Sequence, residues 1–222
     1  MPIRNLLFDL DGTLTEPAEG ITRSYQFALE GLGLPARTRA ELLKFIGPPM
    51  RQNFVEMLGT DDAALIERAV ALYRERFARV GWSENAVYPG VREMLAELKA
   101  EGLRLYVTTS KLTRFSVQIL EHFRLAQFFV AVHGAAADAS LDDKALLVAR
   151  LLREEGLDAS ASLMIGDREH DIRAARKNGV RALGVAYGYG SREELEAAGA
   201  DFICDSPAQL AALIRSQNVP VF

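Results

Sequence analysis

A single cysteine, Cys204, among 222 residues excludes an internal disulfide framework, and its setting in Phe202-Ile203-Cys204 reads as a core strand. Only three histidines are present, and none has metal-ligand spacing to another, which excludes the usual zinc sites. No segment approaches the roughly 18 unbroken apolar residues of a membrane span. The N-terminus passes directly into an apolar run, without a basic n-region or a small-residue cleavage site, so the expected location is the cytoplasm. Basic charge is not in excess either: 26 Lys and Arg against 30 Asp and Glu leave a net charge of −4. That balance argues against nucleic acid or an anionic membrane as partner and favours a small-molecule ligand, with the chain a monomer or weak homodimer. Internal repeats and low-complexity tracts are also missing. What is present is a composition 49% apolar over a length sufficient for a sizeable core plus a second, smaller module.

The most informative stretch is Leu6-Leu7-Phe8-Asp9-Leu10-Asp11-Gly12-Thr13. Its apolar start reads as an interior strand of a parallel sheet, so the acids that follow stand at the carboxyl edge, where open α/β sheets keep their sites. If strand geometry persisted, Asp9 and Asp11 would share one face, and two close anions call for a cation or a proton between them. Gly12 lets a phosphate or metal approach the backbone.

From Leu103 onward, apolar runs at 103–107, 128–132, 163–165, 182–185 and 202–204 alternate with helix-like stretches near 113–122, 143–155, 169–178, 192–198 and 207–215. The alternation predicts an α/β fold, a doubly wound parallel sheet. The helix at 91–98 suffices for the crossover from the first strand to the second, which leaves about seventy residues surplus. They carry helical stripes instead, Ile21/Tyr25/Ala28/Leu29/Leu32 and Leu65/Ile66/Ala69/Val70/Tyr73/Phe77. The expected organisation is a core of residues 1–14 and 88–222, with an inserted helical cap of residues 15–87 acting as a lid.

Three further segments end core strands at the same edge. Leu105-Tyr106-Val107-Thr108-Thr109-Ser110-Lys111 finishes in hydroxyls; Lys144 follows Asp142 and Asp143 at a helix start; and Leu163-Met164-Ile165-Gly166-Asp167 places Asp171 four residues beyond Asp167. Taken singly, each has an ordinary explanation as a cap, a turn or a solvated side chain.

As a set, spanning the whole chain, these segments resemble the haloacid dehalogenase superfamily of aspartate-nucleophile phosphatases. The insert, Phe45-Ile46-Gly47-Pro48-Pro49 within it, and Gly184-Val185-Ala186-Tyr187-Gly188-Tyr189-Gly190 resemble the phosphoglycolate-phosphatase-like branch, some of whose relatives are nucleotidases. The resemblance implies a Rossmann-like core with a cap and a phosphatase acting on a small phosphorylated metabolite, of the phosphoglycolate or nucleoside 5'-monophosphate type. Asp9 would be the nucleophile, and Asp11 the acid and base, held protonated beside the other anions. Asp9, the backbone carbonyl of Asp11, and Asp167 would hold Mg²⁺. Thr109 and Lys144 would hold the phosphoryl oxygens, with Gly12 and Ser110 beside them, and Asp171 would anchor Lys144 or a metal-bound water. Gly47 would contact substrate from the cap. Ser110 stands where asparagine is frequent, and Thr108 is an alternative to Thr109 should the strand end one residue earlier.

A phosphomutase would use the same residues while shielding the phosphorylated aspartate from water. A phospho-accepting receiver-like signalling domain also combines clustered acids, a strand-end threonine and a lysine, but lacks the helical insert and the second acidic segment.

Overall fold

The computed structural model describes residues 2–136 and 143–218. In chain order the elements are β1 (Asn5–Phe8), β2 (Thr15–Glu16), α1 (Ala18–Gly31), α2 (Arg39–Leu42), α3 (Met50–Leu58), α4 (Ala63–Arg76), β3 (Ala86–Val87), α5 (Val91–Ala100), β4 (Arg104–Leu112), α6 (Thr113–His122), β5 (Ala131–Ala135), α7 (Lys144–Glu154), β6 (Ser162–Gly166), α8 (Glu169–Lys177), β7 (Arg181–Val185), α9 (Arg192–Ala198), β8 (Phe202–Cys204) and α10 (Pro207–Asn218). They divide into two compact units, residues 1–15 with 87–222, and residues 16–86.

Six strands of the larger unit form one sheet in the order β5-β4-β1-β6-β7-β8, and every pairing is parallel. The chain winds outward from β1 through β4 to β5, then returns to β6 on the other flank of β1. The strand order therefore reverses at β1, and its carboxyl end is the crevice where such sheets bind ligands. Register fixes what meets there. Phe8 lies opposite both Val107 and Ile165, so Asp9, Thr108 and Gly166 follow at one level.

Period-two alternation explains why these strands show no polar pattern. Leu7, Tyr106, Met164 and Ala182 pack on one face against Val148, Leu151, Ile172, Ala175 and Leu195 from the helices. Their alternates Leu6, Phe8, Leu105, Val107, Leu163, Ile165 and Leu183 are buried as well. A sheet covered on both faces has no use for polar residues along its strands. Cys204 belongs to this interior; it is free and buried, and burial pushes its thiol up to about 12.

The unit of residues 16–86 is helical, closed around Tyr25, Phe45, Phe54, Tyr73 and Phe77, whose rings meet at centroid distances of 4.8 to 6.5 Å. Asn53 donates to the Tyr25 hydroxyl at 2.8 Å and to the Phe45 carbonyl at 2.8 Å, which satisfies polar groups that the ring cluster buries.

Two sequence expectations shift. The apolar run at 128–132 does not pair as a whole: pairing with β4 begins at Ala131, and 126–128 forms a single 3₁₀ turn. Phe129 instead packs edge-on to Phe8 at 6.1 Å, so its apolar character serves a ring contact rather than strand pairing. The second strand runs past its expected end at Val107 to Leu112.

Candidate active site

β1 ends at Phe8, although the Asp9 amide still donates to the Ile165 carbonyl at 2.8 Å and so stays in line with the sheet. Strand geometry does not continue to Asp11. The amides of Thr13, Leu14 and Thr15 all fold onto the Leu10 carbonyl, and Gly12 turns through φ +88°. The two acids therefore do not share one face with a common partner. Asp9 Oδ1 accepts from Lys144 Nζ at 2.6 Å, and Asp11 Oδ2 pairs with Lys111 Nζ at 2.7 Å.

Lys144 is the first residue of α7, a helix capped by the Asp143 side chain, which accepts from the Ala145 amide. Asp142, read beside it in the sequence, lies outside the described residues. A lysine at a helix start is ordinarily solvated, yet this one is buried, and its Nζ also reaches Asp171 Oδ1 at 2.8 Å. Burial works against its charge, but Asp171 and Asp9 outweigh that and hold the ammonium above the usual lysine range.

β6 delivers Asp167, which is fully buried. Its oxygens take the Tyr189 amide at 2.9 Å and the Thr13 hydroxyl at 3.4 Å. The first turn of α8 adds Asp171, whose Oδ2 accepts from the Arg168 amide at 3.1 Å. Oxygens of Asp9, Asp167 and Asp171 lie within 4.8 Å of one another, the one such buried acidic group found among the described residues. Burial raises Asp167 well above the usual carboxylate range, with the charges of Asp171 and Asp9 adding to it. Burial likewise pushes Asp171 up to about 6, against the pull of Lys144. Three buried carboxylates thus share one ammonium, and the negative surplus, lined with hard oxygen donors, fits a divalent cation such as Mg²⁺. Asp11 is also raised, by burial first and in part by Asp9, while Lys111 and Lys144 pull it down.

The loop after β7 fixes Asp167 from its far side. The Tyr187 hydroxyl, which burial keeps protonated, donates to the Thr13 carbonyl at 2.9 Å. A side chain at Gly188 would meet Asp167 Cβ and the Gly12 carbonyl, each at 2.4 Å, and one at Gly12 would meet Asp167 Oδ2 at 2.1 Å. Only glycines allow this approach. Gly188→Ala is accordingly expected to cost about 1–3 kcal/mol of stability through overpacking. Thermal unfolding checks this, and an unchanged midpoint would contradict it.

The structure brings Asp9, Lys144, Asp167 and Asp171 into one cluster, with Gly12 against Asp167. Thr109 lies buried on the neighbouring strand opposite Gly134, and its Oγ1 accepts from the Lys111 amide at 3.3 Å. Because β4 continues to Leu112, a strand ending early gives no reason to prefer Thr108, although the buried Thr108 Oγ1 has no partner among the described residues. Ser110 is half-buried in β4, and Gly47 lies in the helical unit, in the φ +104° turn before α3. Lys111 is the residue the sequence reading passed over. Its place two residues beyond Thr109 was the available signal.

Comparisons with known proteins fit this geometry. The family profile described as haloacid dehalogenase-like hydrolase matches residues 6–185. A 5'-nucleotidase of Pseudomonas aeruginosa is 47% identical over 212 residues, covering 96% of each chain. A phosphoglycolate phosphatase of Vibrio parahaemolyticus is 30% identical over 219 residues, again 96% of each. The crystal structure of a predicted phosphatase from Clostridium acetobutylicum superposes with a TM-score of 0.94 at 40% identity, covering 97% of this chain and 100% of that one.

Proposed function

The chain belongs to the haloacid dehalogenase-like hydrolases and is a phosphatase, and from that premise we propose that it hydrolyses small phosphate monoesters through an aspartyl-phosphate on Asp9, with Mg²⁺ as cofactor. The substrate class is that of nucleoside 5'-monophosphates or phosphoglycolate, with the nucleotidase relative the more similar of the two. The observation that carries the reading is the buried Asp9 carboxylate, held by Lys144 at 2.6 Å beside Asp167 and Asp171, with a second acid two residues along the chain.

A carboxylate attacks phosphorus only where the repulsion between the two anions is offset. Lys144 supplies part of that offset at Asp9 and sits where it can hold a phosphoryl oxygen. The Asp9 oxygen forms the new bond to phosphorus as the bond to the ester oxygen breaks, and Asp11 gives its proton to the departing alcohol. Water then attacks the phosphoryl group and loses a proton to Asp11, and the Asp9 carboxylate leaves. The raised proton affinity of Asp11 suits both transfers. Thr109 is assigned to the phosphoryl oxygens by its hydroxyl, and Gly12 and Ser110 to the loop around them. Asp9, Asp167 and the Asp11 carbonyl are the proposed Mg²⁺ ligands. When bound, the cation supplies charge neutralisation and orientation of the phosphate.

Phosphate release from a panel of nucleoside 5'-monophosphates, phosphoglycolate, sugar phosphates and an aryl phosphate, with Mg²⁺, tests the reading. Release from at least one class is expected, abolished by excess chelator. No release from any, or full activity under chelation, would overturn it.

The metal requirement should also depend on pH. Protons and cation compete for the same oxygens, and burial has raised the proton affinity of Asp167 and brought Asp171 to about 6. Carboxylates gain protons as pH falls through that range, so the Mg²⁺ concentration for half-maximal activity is expected to rise from about pH 8 to about pH 5. A requirement constant over that range would contradict the competition.

A further inference from the structure

We propose that Lys111 is a positioning residue that holds Asp11 for proton transfer to the leaving group, so that its importance scales with how much the leaving group needs a proton. The inference rests on the roles assigned to Asp9 and Asp11 above.

Three independent features place Lys111 there. First, the pairing of β4 with β5 shifts: Thr109 lies opposite Gly134, and the next pair is Leu112 with Ala135, so Ser110 and Lys111 have no opposite residue of their own. Such a bulge re-aims side chains, and bulges concentrate beside active sites. Gly134 permits it, since a side chain there would meet the Lys111 carbonyl at 2.5 Å and the Thr113 amide nitrogen at 2.7 Å. The Lys111 amide is pinned in turn by Thr109 Oγ1 at 3.3 Å, and the Gly134 amide by Thr113 Oγ1 at 3.2 Å.

Second, the ion pair is enclosed. The Lys111 side chain is 7% exposed and that of Asp11 is 11% exposed, with Nζ and Oδ2 2.7 Å apart. A pair on the surface would contribute little, whereas taking both groups out of water is unfavourable unless the geometry is held by the fold. Third, the pair engages one Asp11 oxygen and leaves the other: Oδ1 is buried and has no hydrogen-bond partner among the described residues. An acid with one oxygen fixed and one unengaged is arranged to meet an incoming group at the second. Lys144 is committed to Asp9 and Asp171, so each of the two acids the reaction uses has its own lysine.

The test compares Lys111→Met with the wild-type protein on two phosphate monoesters, a simple alkyl ester and p-nitrophenyl phosphate. The measured quantity is kcat/KM, which extends only through formation of the phosphorylated enzyme. The alkyl alcohol needs a proton to leave and the nitrophenolate does not. We expect a loss of roughly 100-fold or more on the alkyl ester, the scale of misplacing a general acid, and less than about 10-fold on the aryl ester. In an Asp11→Asn background the further loss from Lys111→Met should be small, because Lys111 acts through Asp11. Lys111→Gln, which keeps a hydrogen-bond donor on a side chain one bond shorter, is expected to lose less than the methionine variant on the alkyl ester, and it carries the comparison if Lys111→Met does not fold. Equal losses on both esters, or losses that multiply in the Asp11→Asn background, would overturn the proposal and leave the nucleophile assignment untouched. Near-normal activity of Asp9→Asn would remove that assignment and this proposal with it.

Discussion

Asp9→Asn is expected to abolish phosphate release from every monoester, a loss on the order of 10⁴-fold or more, the scale found when a nucleophile is removed. The substitution keeps the shape of the side chain. Asp9 is only 4% exposed, so the pocket gains no space and Lys144 keeps Asp171 at 2.8 Å. The variant should therefore fold, and its defect should lie in chemistry rather than in stability. Steady-state phosphate release paired with thermal unfolding separates the two. A folded variant with near-normal turnover would show that Asp9 does not attack phosphorus.

Lys144→Met is expected to have the second largest effect, and it should lower both activity and stability. The ammonium is 7% exposed and joins Asp9 at 2.6 Å to Asp171 at 2.8 Å. Its removal strands two carboxylates in a buried site that already holds Asp167. Breaking a buried pair from one side costs about 3–5 kcal/mol. Turnover should fall by roughly 10²–10³, the scale of losing one preorganised charge at a transferring group. The stability defect carries a sign with pH. Burial already pushes Asp171 up to about 6 against the pull of Lys144, and without that lysine its proton affinity rises further, so the penalty is relieved when it takes up a proton. The gap between variant and wild-type protein in denaturant midpoints should therefore narrow as pH falls below neutrality. Unaltered stability at neutral pH would contradict the electrostatic account of the cluster.

What could be read from the sequence was set by periodicity and by strand ends. β1 and β6 are buried on both faces and end in an acid or a glycine followed by an acid, so their apolar runs and the residues after them sit where the pattern placed them. α6 and α9 occupy the stretches expected for them, 113–122 and 192–198. Other features depended on contacts distant in sequence. The separation of Asp9 from Asp11 follows from three amides converging on the Leu10 carbonyl, which a two-residue spacing does not encode. Lys111 is written like any solvated lysine after a strand; its burial comes from a bulge that Gly134, more than twenty residues later, makes sterically possible. The run at 128–132 shows the opposite case, since Phe129 is apolar in order to pack on Phe8 and Val130 is 58% exposed. α2, four residues long, falls below the length at which an apolar stripe identifies itself.

The central claim is that phosphate passes through a covalent bond to Asp9, and the most direct measurement is to stop the reaction during turnover and look for it. Acid quenching with a turned-over monoester and Mg²⁺, followed by mass spectrometry of the N-terminal peptide, is expected to place a phosphoryl group on Asp9 that hydroxylamine removes, as an acyl phosphate requires. Turnover with an unmodified Asp9 peptide at every quench time, or a phosphoryl group found instead on another residue, would contradict the account.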